Sequence, residues 1–254
     1  MSRLCLAKFF SSAYDTEMNF NDLKLRTLGI NAEKFGKIFS FVDYGNVNYW
    51  YEKDRQGWDG NQLGEMQKLI VDIEKLGIFI NSFAIQKRFY YGWNNRNKGA
   101  WHINIKAERC GFTKITKPIQ FIKHFLPNGT FIEIPKSNFD VEITVDAIRL
   151  VNLYNTFCLF SGDSDFAFLL RFLKKRKKKI IVVASGQVFH TLKELADLYI
   201  PAQSIKADIA SIKETTPISR RGLDIGSASG GQDGFHHEHS LNEGGKEVNV
   251  NTEN

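Results

Sequence analysis

From residue 38 onward the chain alternates short apolar runs with helix-length segments, and few folds accept that order. The runs predict strands over 38–43, 78–91, 156–161 and 179–184, and the segments between them predict helices over about 60–76, 139–154, 164–175 and 190–198. Alternation of this kind points to an α/β fold with three layers, a mainly parallel central sheet between helices. Sheets of this class take ligands beyond the carboxyl ends of their strands. The residues that follow strands 38–43 and 156–161 are therefore the first place to look for chemistry.

Both strands end in acids. Phe157-Cys-Leu-Phe160 runs through Ser161 and Gly162 into Asp163-Ser164-Asp165, and Phe39-Ser-Phe-Val42 runs into Asp43-Tyr-Gly-Asn46. A third segment, Phe139-Asp140-Val-Glu142-Ile-Thr-Val-Asp146, places further acids at the head of a helix. Carboxylates gathered at one sheet edge repel each other unless a cation is present. Three or four of them imply Mg²⁺ or Mn²⁺ held by oxygen ligands, and such ions serve phosphate chemistry by activating water and offsetting charge on the leaving oxygen.

Helix geometry constrains the third segment. Six residues correspond to about 240° of rotation, so Asp140 and Asp146 stand roughly 120° apart around a helix axis and cannot share one ion from mid-helix. Asp140 in the first turn can face the strand ends, while Asp146 turns toward a basic or hydroxyl partner deeper in. Glu142 and Asp146, four residues apart, share a face and form the competing ligand pair.

The chain has 254 residues, 43% of them hydrophobic and 24% charged, which suits a globular protein with one substantial core. Its net charge of +6 suits an anionic partner such as nucleic acid. Cys5, Cys110 and Cys158 are odd in number, far apart and form no CxxC, so neither a disulfide framework nor a zinc knuckle is expected. No apolar run reaches the roughly 18 to 20 residues of a membrane span, and Lys8 interrupts the opening segment before a secretory apolar region develops. A cytoplasmic protein without membrane contact is expected.

Three regions follow from the composition. Residues 1–36 read as an N-terminal arm or peripheral helix, 37–213 as the α/β domain, and 214–254 as a disordered polar tail whose His236-His237-Glu238-His239 is a solvated tract rather than a metal site. Within the domain, 94–135 shows no clean period and predicts one strand over 115–122 among long loops.

Four motifs together resemble the NYN domain family, LabA-like branch, of the PIN-like nuclease superfamily. They are Phe-Val-Asp43-Tyr-Gly-Asn46, the stretch from Lys136 through Asp140 to Asp146, Ser161-Gly-Asp163-Ser-Asp165, and Leu192 to Ile200 around Asp197. The resemblance spans about 37–201. It implies a PIN-like three-layer fold and metal-dependent endoribonuclease chemistry, with Asp43, Asp140 and Asp163 as the catalytic acids and metal ligands and Asp165 as the next acid. Asn46, Asp146 and Ser161 are the supporting residues. Two departures stand out: Lys136-Ser-Asn-Phe precedes Asp140 where Lys-Gly is common, and Lys174 to Lys179 replaces a Gly-Lys turn.

Substrate contact is expected from the segment that leaves strand 78–91 at the carboxyl edge. Lys87, Arg88, Arg96 and Lys98 offer cations for phosphates, Trp93 offers a ring for an unpaired base, and Lys136 adds a cation beside the second motif. The basic run 174–179 precedes a strand and so belongs to the opposite edge. The expected partner is single-stranded or looped RNA, with DNA and a homo-oligomer left open. Two alternatives also remain: a non-catalytic RNA-binding or regulatory module using the same cleft, and a haloacid dehalogenase-type phosphatase, which Tyr44 and Gly45 disfavour because that chemistry needs a second Asp two residues after the nucleophile.

Overall fold

The computed structural model describes residues 20–94, 98–126, 129–186 and 190–215. In chain order the elements are α1 (Phe20–Thr27), α2 (Ala32–Phe35), β1 (Ile38–Asp43), α3 (Tyr44–Val47), β2 (Gln67–Val71), α4 (Ile73–Asn81), β3 (Gln86–Tyr90), α5 (Lys98–Arg109), β4 (Thr113–Ile115), β5 (Gln120–Phe125) and β6 (Phe131–Lys136). They continue with α6 (Asp140–Arg149), β7 (Thr156–Phe160), a 3₁₀ turn at Ser164–Phe166, α7 (Ala167–Lys175), β8 (Lys179–Ala184), α8 (His190–Leu195), β9 (Leu198–Pro201), α9 (Lys206–Ile209) and β10 (Ala210–Glu214).

Six strands form one parallel sheet in the order β4-β3-β1-β7-β8-β9. From β1 the chain winds outward through β3 to β4, and from β7 it winds the other way through β8 to β9. The switch point, where a doubly wound sheet opens a crevice, lies between the carboxyl ends of β1 and β7. The central strands are buried on both faces, as parallel strands covered by helices must be: all of Thr156–Phe160 is buried, and all of Ile38–Asp43 except its last residue.

Alternate residues of each strand feed two cores. Ile38, Val42, Cys158 and Ile181 pack with Leu76 and Ile80 of α4 and Ala107 of α5. Phe39, Phe41, Leu159 and Val182 pack with Ile143 of α6, Leu170 of α7 and Leu192 of α8. This is the three-layer α/β/α arrangement expected from the sequence, and it is PIN-like.

Several expected boundaries move. The helix expected over 60–76 begins only at Ile73: Gln67–Val71 pairs antiparallel with β10, and Asp72 caps α4 by accepting from the backbone N–H of Glu74 at 2.9 Å. The apolar run over 78–81 is therefore the end of α4, and the strand that follows is only Gln86–Tyr90. Segment 94–135 holds a twelve-residue helix and an antiparallel hairpin, β5–β6, where long loops were expected. Ile30 and Phe35 are 4% and 1% exposed and belong to the main core, so the folded region begins before residue 37. At the other end Glu214 still pairs with β2 and the Thr215 N–H donates to the Met66 carbonyl just before it, and the remainder of the tail, with its histidines, lies outside the described residues. Cys110 and Cys158 are free thiols. Among the described residues no helix is long and apolar enough to cross a membrane.

Candidate metal centre

The switch point sets Asp43 against the β7 loop. Asp43 ends β1, and Ser161, fully buried just beyond β7, donates its hydroxyl to Asp43 Oδ2 at 3.1 Å. The same hydroxyl accepts from the backbone N–H of Asp163 at 3.3 Å. Asn46 completes the stitch: its Oδ1 accepts from the backbone N–H of Gly162 at 3.2 Å and from the Trp50 indole at 3.1 Å. Asn46 thus spends its side chain joining the two loops that carry the acids.

Asp140 arrives from the other side of the crevice. It opens α6, and the side chain of Asn138 accepts from its backbone N–H at 2.8 Å, which fixes the entry to the helix. Asp140, Asp163 and Asp165 each present a carboxylate oxygen, and these atoms lie within 4.8 Å of one another. Asp43 stands deeper and outside that trio, although the charges of Asp140 and Asp163 both reach it.

The electrostatics are those of crowded acids. Burial, aided by Asp140 and Asp163, pushes the Asp43 carboxyl up to about 6 against the bonds from Ser161 and Asn46. Asp140 is also raised, by burial first and then by Asp163 and Asp165, against the Asn138 bond and the charge of Lys117. Among the described residues no lysine, arginine or histidine ion-pairs with any of the four acids. Oxygen donors of one sign gathered with no directly paired cation among the described residues suit a hard divalent cation.

The competing acids of α6 are occupied. Glu142 holds Lys117 through both oxygens at 2.8 Å. Asp146, 7% exposed, takes Arg88 at 2.6 Å, the Tyr90 hydroxyl at 2.9 Å and Arg149 at 2.7 Å. Asp140 is then the acid of this helix that faces Asp163 and Asp165. Asp197, in the fourth motif, lies at the far edge, where it accepts from the Ile180 N–H and pairs with Lys174 and Lys179 of the basic run.

Two of the expected substrate contacts are corrected. Lys87 and Arg88 lie inside β3, between β1 and β4, and are 6% and 7% exposed. Lys87 donates to Asn81 at 2.7 Å and sits over the Phe112 ring, while Arg88 serves Asp146. Neither can meet a phosphate from inside the sheet. Trp93, beyond the strand, remains 37% exposed. Arg96 lies outside the described residues, as do the side chains of Lys98, which opens α5, and Lys136, which ends β6.

A cleft of about 650 Å³ opens beside Asn46 and runs toward β8 and β9, lined among others by Tyr49, Trp50, Ser185 and Tyr199. The sequence reading missed it. Its signal was Asn48-Tyr-Trp-Tyr51, an aromatic run directly after the first acidic motif.

Residues 37–206 match the profile of the NYN domain. The chain is 31% identical over 108 residues to the low amplitude and bright protein LabA of Synechococcus elongatus, a match that covers 42% of this chain and 57% of LabA. It therefore aligns with little more than half of that relative. In fold it is similar to a protein of unknown function from Vibrio parahaemolyticus, with a TM-score of 0.50 and 22% identity, covering 71% of this chain and 99% of the other.

Proposed function

The chain belongs to the NYN domain family, part of the PIN-like nuclease superfamily, and on that premise we propose that it is a metal-dependent endoribonuclease. The observation that carries the reading is the convergence of Asp140, Asp163 and Asp165, from two separate segments, beside the half-buried Asp43 at the switch point of the sheet.

In this reading Asp140, Asp163 and Asp165 hold Mg²⁺ or Mn²⁺ together with Asp43, and the ion supplies an acidified water and charge neutralisation at the scissile phosphate. The chain's own groups do the rest. Ser161 and the Asn46 backbone hold both oxygens of Asp43 in place, at 3.1 and 3.4 Å, so the acid does not swing when it loses its proton. Asn46 locks the β1 and β7 loops together, which keeps Asp43 and Asp163 at a fixed separation. RNA in the cytoplasm is the substrate proposed, since the protein is basic overall and an unpaired strand can reach an open sheet edge.

The test is cleavage of a single-stranded RNA by the purified protein with Mn²⁺. EDTA should abolish it, and Asp43→Asn/Asp163→Asn should lower the rate at least about a hundred-fold, the scale of losing transition-state charge stabilisation. A double variant that cleaves as fast as the wild type rules the mechanism out. Parallel single-stranded DNA settles the sugar.

A further inference from the structure

The β5–β6 hairpin does not join the main sheet. Its register runs from Gln120 opposite Lys136 to Phe125 opposite Phe131, and no third strand pairs with it among the described residues. Two strands alone are marginal in water, because they bury little. This pair also exposes its apolar groups: Phe125 is 70% exposed, Ile122 48% and Phe131 47%. The two phenylalanine rings stand side by side at the tip, 6.0 Å between centroids. Lys123 lies over the Phe131 ring at 4.4 Å.

Its root is fixed beside the acids. The backbone of Trp93, just past β3, donates to Lys117 at 3.0 Å and accepts from Ile119 at 2.9 Å. At its other end β6 leads through Ser137, Asn138 and Phe139 directly into Asp140. Six residues per strand give a reach of about 20 Å, enough to span a few nucleotides.

We propose that this hairpin is an arm that holds a single-stranded nucleic acid against the acidic edge. Phe125 is the principal platform for an unpaired base. Phe131, covered by Lys123, braces it, while Lys123, on the same face of the hairpin, meets the phosphates. Aromatic rings interleaved with cations form the usual platform for unpaired strands. A protein partner would equally cover the rings, but it would have no use for an arm rooted beside a phosphate-cleaving site in a chain of net charge +6. The proposal rests on the nuclease reading for its choice of ligand, and the experiment separates the two.

Binding of a fluorescein-labelled oligouridylate is measured by anisotropy in EDTA, so no cleavage occurs. Phe125→Ala/Phe131→Ala should weaken binding about ten-fold or more, the scale of losing base stacking, while Phe125→Tyr/Phe131→Tyr stays near the wild type. Hydrolysis of bis(p-nitrophenyl) phosphate with Mn²⁺, which needs no arm, should be unchanged in both. Unchanged RNA affinity in the alanine variant overturns the arm, and so does loss of self-association by light scattering with RNA affinity intact. If instead the arm variants lose RNA while Asp43→Asn/Asp163→Asn still hydrolyses the small diester, the arm stands and the proposed metal chemistry fails. The same series with oligodeoxythymidylate shows whether the arm selects ribose.

Discussion

Asp43 is held in tension between burial, which opposes its charge, and two hydrogen bonds, which favour it. Burial wins, and the folded carboxyl sits at about 6 against an ordinary 3.8. The folded state therefore binds this proton more tightly than the unfolded chain. Its contribution to stability is complete below pH 3.8 and is lost as the pH rises through about 6. Asn46 and Ser161 can bond an amide as well as a carboxylate, so Asp43→Asn removes the buried charge and keeps the contacts. Without metal at about pH 8 the variant should be more stable by on the order of 1 to 3 kcal/mol, and the gain should vanish near about pH 4. Urea unfolding in EDTA at the two pH values checks this; a variant no more stable than wild type at the higher pH refutes it. The acids were legible because each follows a strand run or opens a helix, so its place along the backbone is set locally. Arg88 was not legible, because its partner, Asp146, lies 58 residues away and nothing local distinguishes a paired, buried cation from a free one.

At the scale of elements, the strands buried on both faces read most clearly. Ile38–Asp43 and Lys179–Ala184 appear where the apolar runs place them, because burial on both faces leaves little polar interruption, only the small Ser40 inside the first and none from Ile180 to Ala184 in the second. Helix α4 was misread for the same reason inverted: Ile78-Phe-Ile80 is as apolar as a strand, and only the Asp72 cap and the spacing of Ile73, Leu76 and Ile80 mark a helix. The hairpin could not be found by patterning, since its residues are exposed on both faces and carry no burial period. One contact ties that hairpin to the site. A Cβ on Gly92 would stand 2.5 Å from Ser137 Oγ and 2.6 Å from Ile119 Cγ1, at the two roots of the hairpin. Gly92→Ala must push the Ser137 loop, and Asp140 begins three residues later. The variant should lose about 1 to 3 kcal/mol of stability and bind Mn²⁺ more weakly, as read by urea unfolding and by metal titration. Wild-type values in both would show that the loop yields freely.

At the scale of the molecule, the order of strands makes the site. Asp43 meets Ser161 across 118 residues of sequence only because the chain returns to β1 from the opposite side to lay down β7. Asp140 enters from the helix that feeds β7, so the acids converge only in the completed sheet. Two consequences follow for the protein without metal. Like charges are crowded at the centre of the fold, which costs stability, and the unfolded chain holds the same acids too far apart to share an ion. A divalent cation that binds here therefore favours folding by mass action, about 2.7 kcal/mol at a hundred times its dissociation constant. For a domain of this size that corresponds to a rise in Tm of roughly 5 to 10 °C. Thermal melts with Mn²⁺ and with EDTA should show this rise for the wild type, and Asp43→Asn/Asp163→Asn should show almost none. The comparison discriminates because any weak cation sites elsewhere on the surface are the same in both proteins. An equal rise in both would place the ion away from the switch point and remove the basis for assigning it to these acids.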